Sequence, residues 1–138
     1  YMSSISISSL GECIIAGSYD NRVYLFDKDN STPLWSYNTA DDIGRVSISA
    51  DGEYIAAGSY DKKVYLFGKD SNTPLWSYTT GDDVYSVAIS ADGEYIVAVE
   101  QTYMHDSVLG NSLFRVLPRP CPRLARVLRV LENEEALA

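Results

Sequence analysis

The chain contains an internal repeat that starts again at position 46. SISSLGECIIAGSYDNRVYLFDKDNSTPLWSY (6–37) aligns without a gap with SISADGEYIAAGSYDKKVYLFGKDSNTPLWSY (47–78), and 26 of 41 positions are identical between 5–45 and 46–86. A third copy, VAISADGEYIVA, opens at Val87 and departs at Val99, where Gly17 and Gly58 stood before. A fixed period of this length implies one stacked supersecondary unit whose apolar face needs a neighbour for burial.

Each unit reads as four short strands. The first strands are expected at Ile5–Ser9, Val46–Ala50 and Val87–Ala91, each ending at a turn such as Ala-Asp-Gly-Glu. Cys13–Ser18 and Tyr54–Ser59 follow, then a tight turn at Tyr-Asp, then VYLF at Val23–Phe26 and Val64–Phe67. A polar loop ending in Pro33 or Pro74 leads into Leu-Trp-Ser-Tyr. β-branched and aromatic residues between such closely spaced turns argue for an all-β chain. VYLF does not alternate, so those strands are expected to be covered on both faces. The predicted architecture is a set of β-propeller-type blades of four antiparallel strands, at about 3–44 and 45–85, with a degenerate third at 86–117.

At these residues the chain resembles a known family. SADGEYIAAGSYDKKVYLF looks like the WD40 pattern of strand, Gly-Ser-x-Asp turn and strand, although Phe-Asp or Phe-Gly closes the unit instead of Trp-Asp. LFDKDNSTPLWSY resembles the quinoprotein-like (PQQ-like) repeat, in which a Trp follows the loop. The resemblance covers residues 3–98 and implies a ring of blades used as a binding or scaffold surface. It also implies that Asp20 and Asp61 brace their turns structurally.

The segment 99–138 differs in kind. Residues 1–98 hold 6 basic and 14 acidic side chains (net −8), whereas 99–138 hold 5 of each. Tyr103–Leu109 and Ser112–Leu117, around Gly110-Asn111, read as the third and fourth strands of blade three. Pro118, Pro120 and Pro122 then break the chain as a linker. Leu124, Val127, Leu128 and Leu131 follow at helical spacing, so 118–138 is expected to end in a short amphipathic helix.

Composition narrows the function. The net charge of −8 disfavours nucleic acid as a partner. Apolar runs are too short for a membrane-spanning helix. One His and two Cys build no multi-ligand His/Cys metal site, and no cofactor is expected. Tyr1 ahead of Met2 reads as a processed, trimmed or incomplete end. Asp41-Asp42 and Asp82-Asp83 are paired carboxylates entering the first strands, readable as turn residues or as a cation or acid/base site. Gly44, Arg45, Tyr85 and Ser86 differ between near-identical copies, and are expected in loops clustered on one binding face. The favoured reading is a non-enzymatic protein-interaction scaffold, with a fragment of a quinoprotein-type enzyme or ligand-binding propeller as the alternative. Bare end faces predict self-association, a ring of two copies being favoured over larger assemblies.

Overall fold

The computed structural model describes residues 1–102 and 111–118, with side chains for residues 1–100. The strand expected over 103–109 and the helix expected after Pro122 lie outside the described residues. Within them every regular element is a strand. β1 (Met2–Ile7), β2 (Cys13–Ser18), β3 (Arg22–Asp27) and β4 (Trp35–Asn38) form one antiparallel sheet in that order. β5 (Ile43–Ile48), β6 (Tyr54–Ser59), β7 (Lys63–Gly68) and β8 (Trp76–Thr79) repeat it in the second unit. β9 (Val84–Ile89), β10 (Tyr95–Thr102) and β11 (Asn111–Pro118) make a three-stranded sheet. The sheets stack as successive blades, closest along β1, β5 and β9.

The first strands start and finish earlier than expected because the following turn claims their last residues. The Ser49 hydroxyl donates to Asp51 (2.6 Å) and accepts the Tyr54 N–H (3.1 Å), while Gly52 supplies a φ of 77°. At the other end, Ile43 and Val84 are fully buried and belong to the sheets.

Two core clusters lie between the blades. Ile15, Val23 and Leu25 of the first blade meet Ile43, Val46, Ile48, Ile55, Tyr65 and Phe67 of the second. Ala56, Val64 and Leu66 of the second meet Val84, Val87, Ile96 and Ala98 of the third. Trp35 and Trp76 open β4 and β8 and pack on equivalent clusters. Trp35 packs at 5.2 Å against Phe67 in a tilted arrangement and donates its indole N–H to the Lys69 carbonyl (2.8 Å). VYLF is therefore buried on both faces in β7, which has a blade on each side. In β3 the same four residues bury only Val23 and Leu25, because among the described residues no blade covers Tyr24 and Phe26.

The third sheet corrects one expectation. Ser112–Leu117 lies in β11, paired directly with β10, and so fills the third place in the blade, not the fourth. Asn111 is already in the strand, opposite Thr102. The cause is local: Ser-Tyr-Asp, which ends β2 and β6, is replaced by Glu100-Gln101-Thr102. With no turn there, β10 runs for 8 residues.

That turn also holds a strained residue. Asn21 and Lys62 occupy the same left-handed position, with φ of 67° and 68°. Asn tolerates this conformation better than Lys. Lys62→Asn is expected to stabilise the chain by about 0.5 kcal/mol in urea unfolding, allowing for the loss of a weak 3.9 Å contact to Asp82.

Candidate functional site

The loops joining one blade to the next and the turns joining second to third strands meet at one end of each sheet. The Thr39 N–H and hydroxyl both donate to the Asn21 carbonyl, and Thr80 does the same to Lys62. The Ser59 hydroxyl donates to the carbonyls of Asp41 (3.1 Å) and Asp42 (3.0 Å). These bonds fix both aspartate pairs on the same rim as Tyr19 and Tyr60.

Within each pair the two carboxylates have different tasks. Asp41 accepts the Asp42 N–H (2.8 Å), and Asp82 accepts the Asp83 N–H (2.9 Å), so the first of each pair holds its turn. The charges of Asp42 and Asp83 both reach the Tyr60 phenol electrostatically. Burial first, then Tyr19 and these two carboxylates, push the Tyr60 pKa up. Burial likewise raises Asp83, followed by the Asp82 charge, with Asp41 adding to it and Lys62 opposing it. The acidic residues of two blades therefore feel one another.

Tyr60 packs against Tyr85 of the next blade in a tilted arrangement, with ring centroids 5.1 Å apart and an interplanar angle of 44°. Gly44 makes this possible. A Cβ there would stand 2.9 Å from Tyr60 Cε1 and 2.5 Å from the Val84 carbonyl oxygen. Gly44, Arg45, Tyr85 and Ser86 lie inside β5 and β9, a correction to the loop placement expected for them. Gly44 and Tyr85 nonetheless occupy a special place. Each is the extra residue of a β-bulge in its first strand, as Ser3 is in β1. Bulges re-aim side chains at sheet edges, and here Tyr85 reaches the rim. Arg45, exposed, and Ser86, half-buried, carry no hydrogen bond into the rim.

Tyr19 and Tyr60 were read from sequence only as turn residues. The available signal was their identity at matching places in two copies and the Gln101 that replaces them in the third. Asp20 and Asp61, in the same turns, act as bracing residues: Asp20 accepts the Arg22 N–H and the Tyr24 hydroxyl. Burial alone would raise Asp20, but bonds from Tyr24, Ser18 and Arg22 hold it below the usual carboxylate range.

The raised Asp83 carries a sign that can be checked. A carboxyl whose folded pKa lies above its unfolded value gives stability at low pH that is lost as pH rises through the folded pKa. Asp83→Asn is therefore expected to be more stable than wild type at pH 7, by no more than about 0.5 kcal/mol at this partly exposed site. The difference should close as pH approaches the usual carboxylate range, seen by urea unfolding across pH.

The rim offers phenol rings and negative charge at an exposed edge. Among the described residues no group of three or more His, Cys, Asp and Glu is placed to hold a metal ion, and no helix is long and apolar enough to cross a membrane. Residues 2–27 and 31–67 match the family model described as WD domain, G-beta repeat. These segments fall on β1–β3 and β4–β7, the two blades that keep the full period. A search of curated proteins finds no match.

Proposed function

We propose that this WD40-type repeat protein is a non-enzymatic interaction scaffold whose tyrosine–aspartate rim engages a basic segment of a protein partner. WD40 repeats usually mediate protein interaction or scaffolding, which supports this class. The observation that carries the rest is the convergence of Asp42, Asp83, Tyr60 and Tyr85 from two blades at one edge. Exposed phenol faces attract Lys and Arg through cation–π contact, and the carboxylates add a salt-sensitive attraction.

Selection from a random peptide library on the whole chain tests this. Bound peptides are expected to be enriched in Lys and Arg, with binding weakened about tenfold in Tyr85→Ala and in Asp42→Asn/Asp83→Asn, and further at high salt. Enrichment indifferent to these substitutions would overturn the rim assignment. Stoichiometric, saturable binding of the quinone cofactor would instead favour a quinoprotein-type propeller.

A further inference from the structure

The ring of two copies expected from sequence needs a head-to-tail joint, in which blade three of one copy covers blade one of the other. Blade one has the receiving face. Met2, Ile5 and Ile7 occupy the repeat positions of Ile43, Val46 and Ile48, and Tyr24 and Phe26 those of Tyr65 and Phe67. The second set is buried beneath blade one, whereas Ile5 is 73% and Ile7 59% exposed. What covers such a face is visible inside the chain: the outward face of a preceding blade, with Gly17 or Gly58 at the point of closest approach.

That glycine has no room for a side chain. A Cβ on Gly17 would stand 2.4 Å from Ile43 Cγ2 and 3.1 Å from Ile43 Cβ and Val46 Cγ1. On Gly58 it would stand 2.6 Å from Val84 Cγ1 and 2.9 Å from Val87 Cγ1. Blade three keeps the register up to this point, with Val99 opposite Ser86 as Gly17 is opposite Ser4 and Gly58 opposite Arg45. Yet residue 99 is valine. Its Cβ and two methyl groups fall where Met2 and Ile5 of a second copy would have to pack.

We propose that Val99 is a steric stop: blade one's outward face receives a blade with glycine at this position, and blade three of a second copy cannot be that blade. Head-to-tail association between copies of this chain is thereby disfavoured. Such stops are the repulsive half of specificity.

Sedimentation over a micromolar concentration series, with strand content checked by circular dichroism, provides the test. Wild type and Val99→Ala, which keeps a Cβ, should sediment alike. Val99→Gly should self-associate at least about tenfold more tightly, and Ile5→Asp on the exposed face should abolish the gain. Val99 is only half-buried, so the fold should survive its removal. As a second measurement, labelled wild type should bind Val99→Gly/Ile5→Asp one to one, because the first supplies the receiving face and the second the glycine blade. Two results would overturn the proposal: Val99→Gly behaving as wild type in both assays, or wild type already forming the Ile5-dependent species.

Discussion

Asp61→Ala should be the most damaging single side-chain truncation outside the cores, while the same change at Asp20 should be mild. Both aspartates occupy the same turn in successive copies of the repeat. Asp61 accepts the Lys63 N–H (3.0 Å), the Ala40 N–H (3.2 Å) from the preceding interblade loop, and the Tyr65 hydroxyl. Tyr65 is 5% exposed between two blades, so its hydroxyl has poor access to water as a replacement. Leaving the buried hydroxyl without an acceptor costs about 1–3 kcal/mol, and the part-buried Lys63 N–H adds to it. Asp20 accepts the Arg22 N–H and Tyr24 hydroxyl on an exposed face where water takes over, so about 1 kcal/mol is expected. Urea unfolding of the two variants measures the contrast directly.

The double variant Asp61→Ala/Tyr65→Phe separates the hydroxyl from the rest. Removing donor and acceptor together should cost less than the sum of the single changes. A pH signature accompanies it. Burial first, and the bond to Asp61 next, push the Tyr65 phenol well above the ordinary tyrosine range. A raised folded pKa means that this stability is fully present below about pH 10 and is lost as pH climbs further. Wild type should therefore weaken in alkali more steeply than the double variant. Equal costs at positions 20 and 61 would mean that the blade covering Tyr65 contributes nothing to its environment.

That contrast also marks the division between what the repeat reveals and what it hides. The period, the four strands of each full unit and the two-sided burial of VYLF follow from local pattern, because pleat, turn chemistry and hydrophobicity agree there. Burial of a particular copy does not follow from pattern. Tyr24 and Tyr65 have identical neighbours in sequence and differ only in whether another blade lies against them. The rim was half legible for a related reason. The aspartate pairs stood out as charged loop residues, and Gly44 and Tyr85 as differences between copies. Tyr19 and Tyr60 did not stand out, because a tyrosine beside a turn aspartate reads as packing until Gly44 is seen to clear space for the ring. The bulges at Ser3, Gly44 and Tyr85 were illegible. An extra residue in one strand changes no hydrophobic alternation strongly enough to be counted.

Gly58→Val transplants the third copy's own residue into the second, and its expected effect is loss of the joint between the second and third blades. Valine is a good strand residue, and β6 taken alone should gain from it. The obstacle is tertiary. With Val84 Cγ1 2.6 Å and Val87 Cγ1 2.9 Å from the position of a Cβ, the added methyl groups have no space unless β9 withdraws. Overpacking in a dense core typically costs about 1–3 kcal/mol, and here the rigid β-branched neighbours place it at or above the top of that range. The damage should be regional. Amides of β9 and β10 are expected to lose hydrogen-exchange protection, since Val84, Val87 and Ile96 pack against β6 and β7, while β1–β3 keep theirs. Gly17→Val should move the loss to the joint between blades one and two, where Ile43 Cγ2 would be 2.4 Å from the new Cβ. Uniform loss of protection in both variants would mean that the stack unfolds as one unit and not blade by blade. Valine tolerated at position 58 would remove the steric basis on which Val99 refuses a second copy.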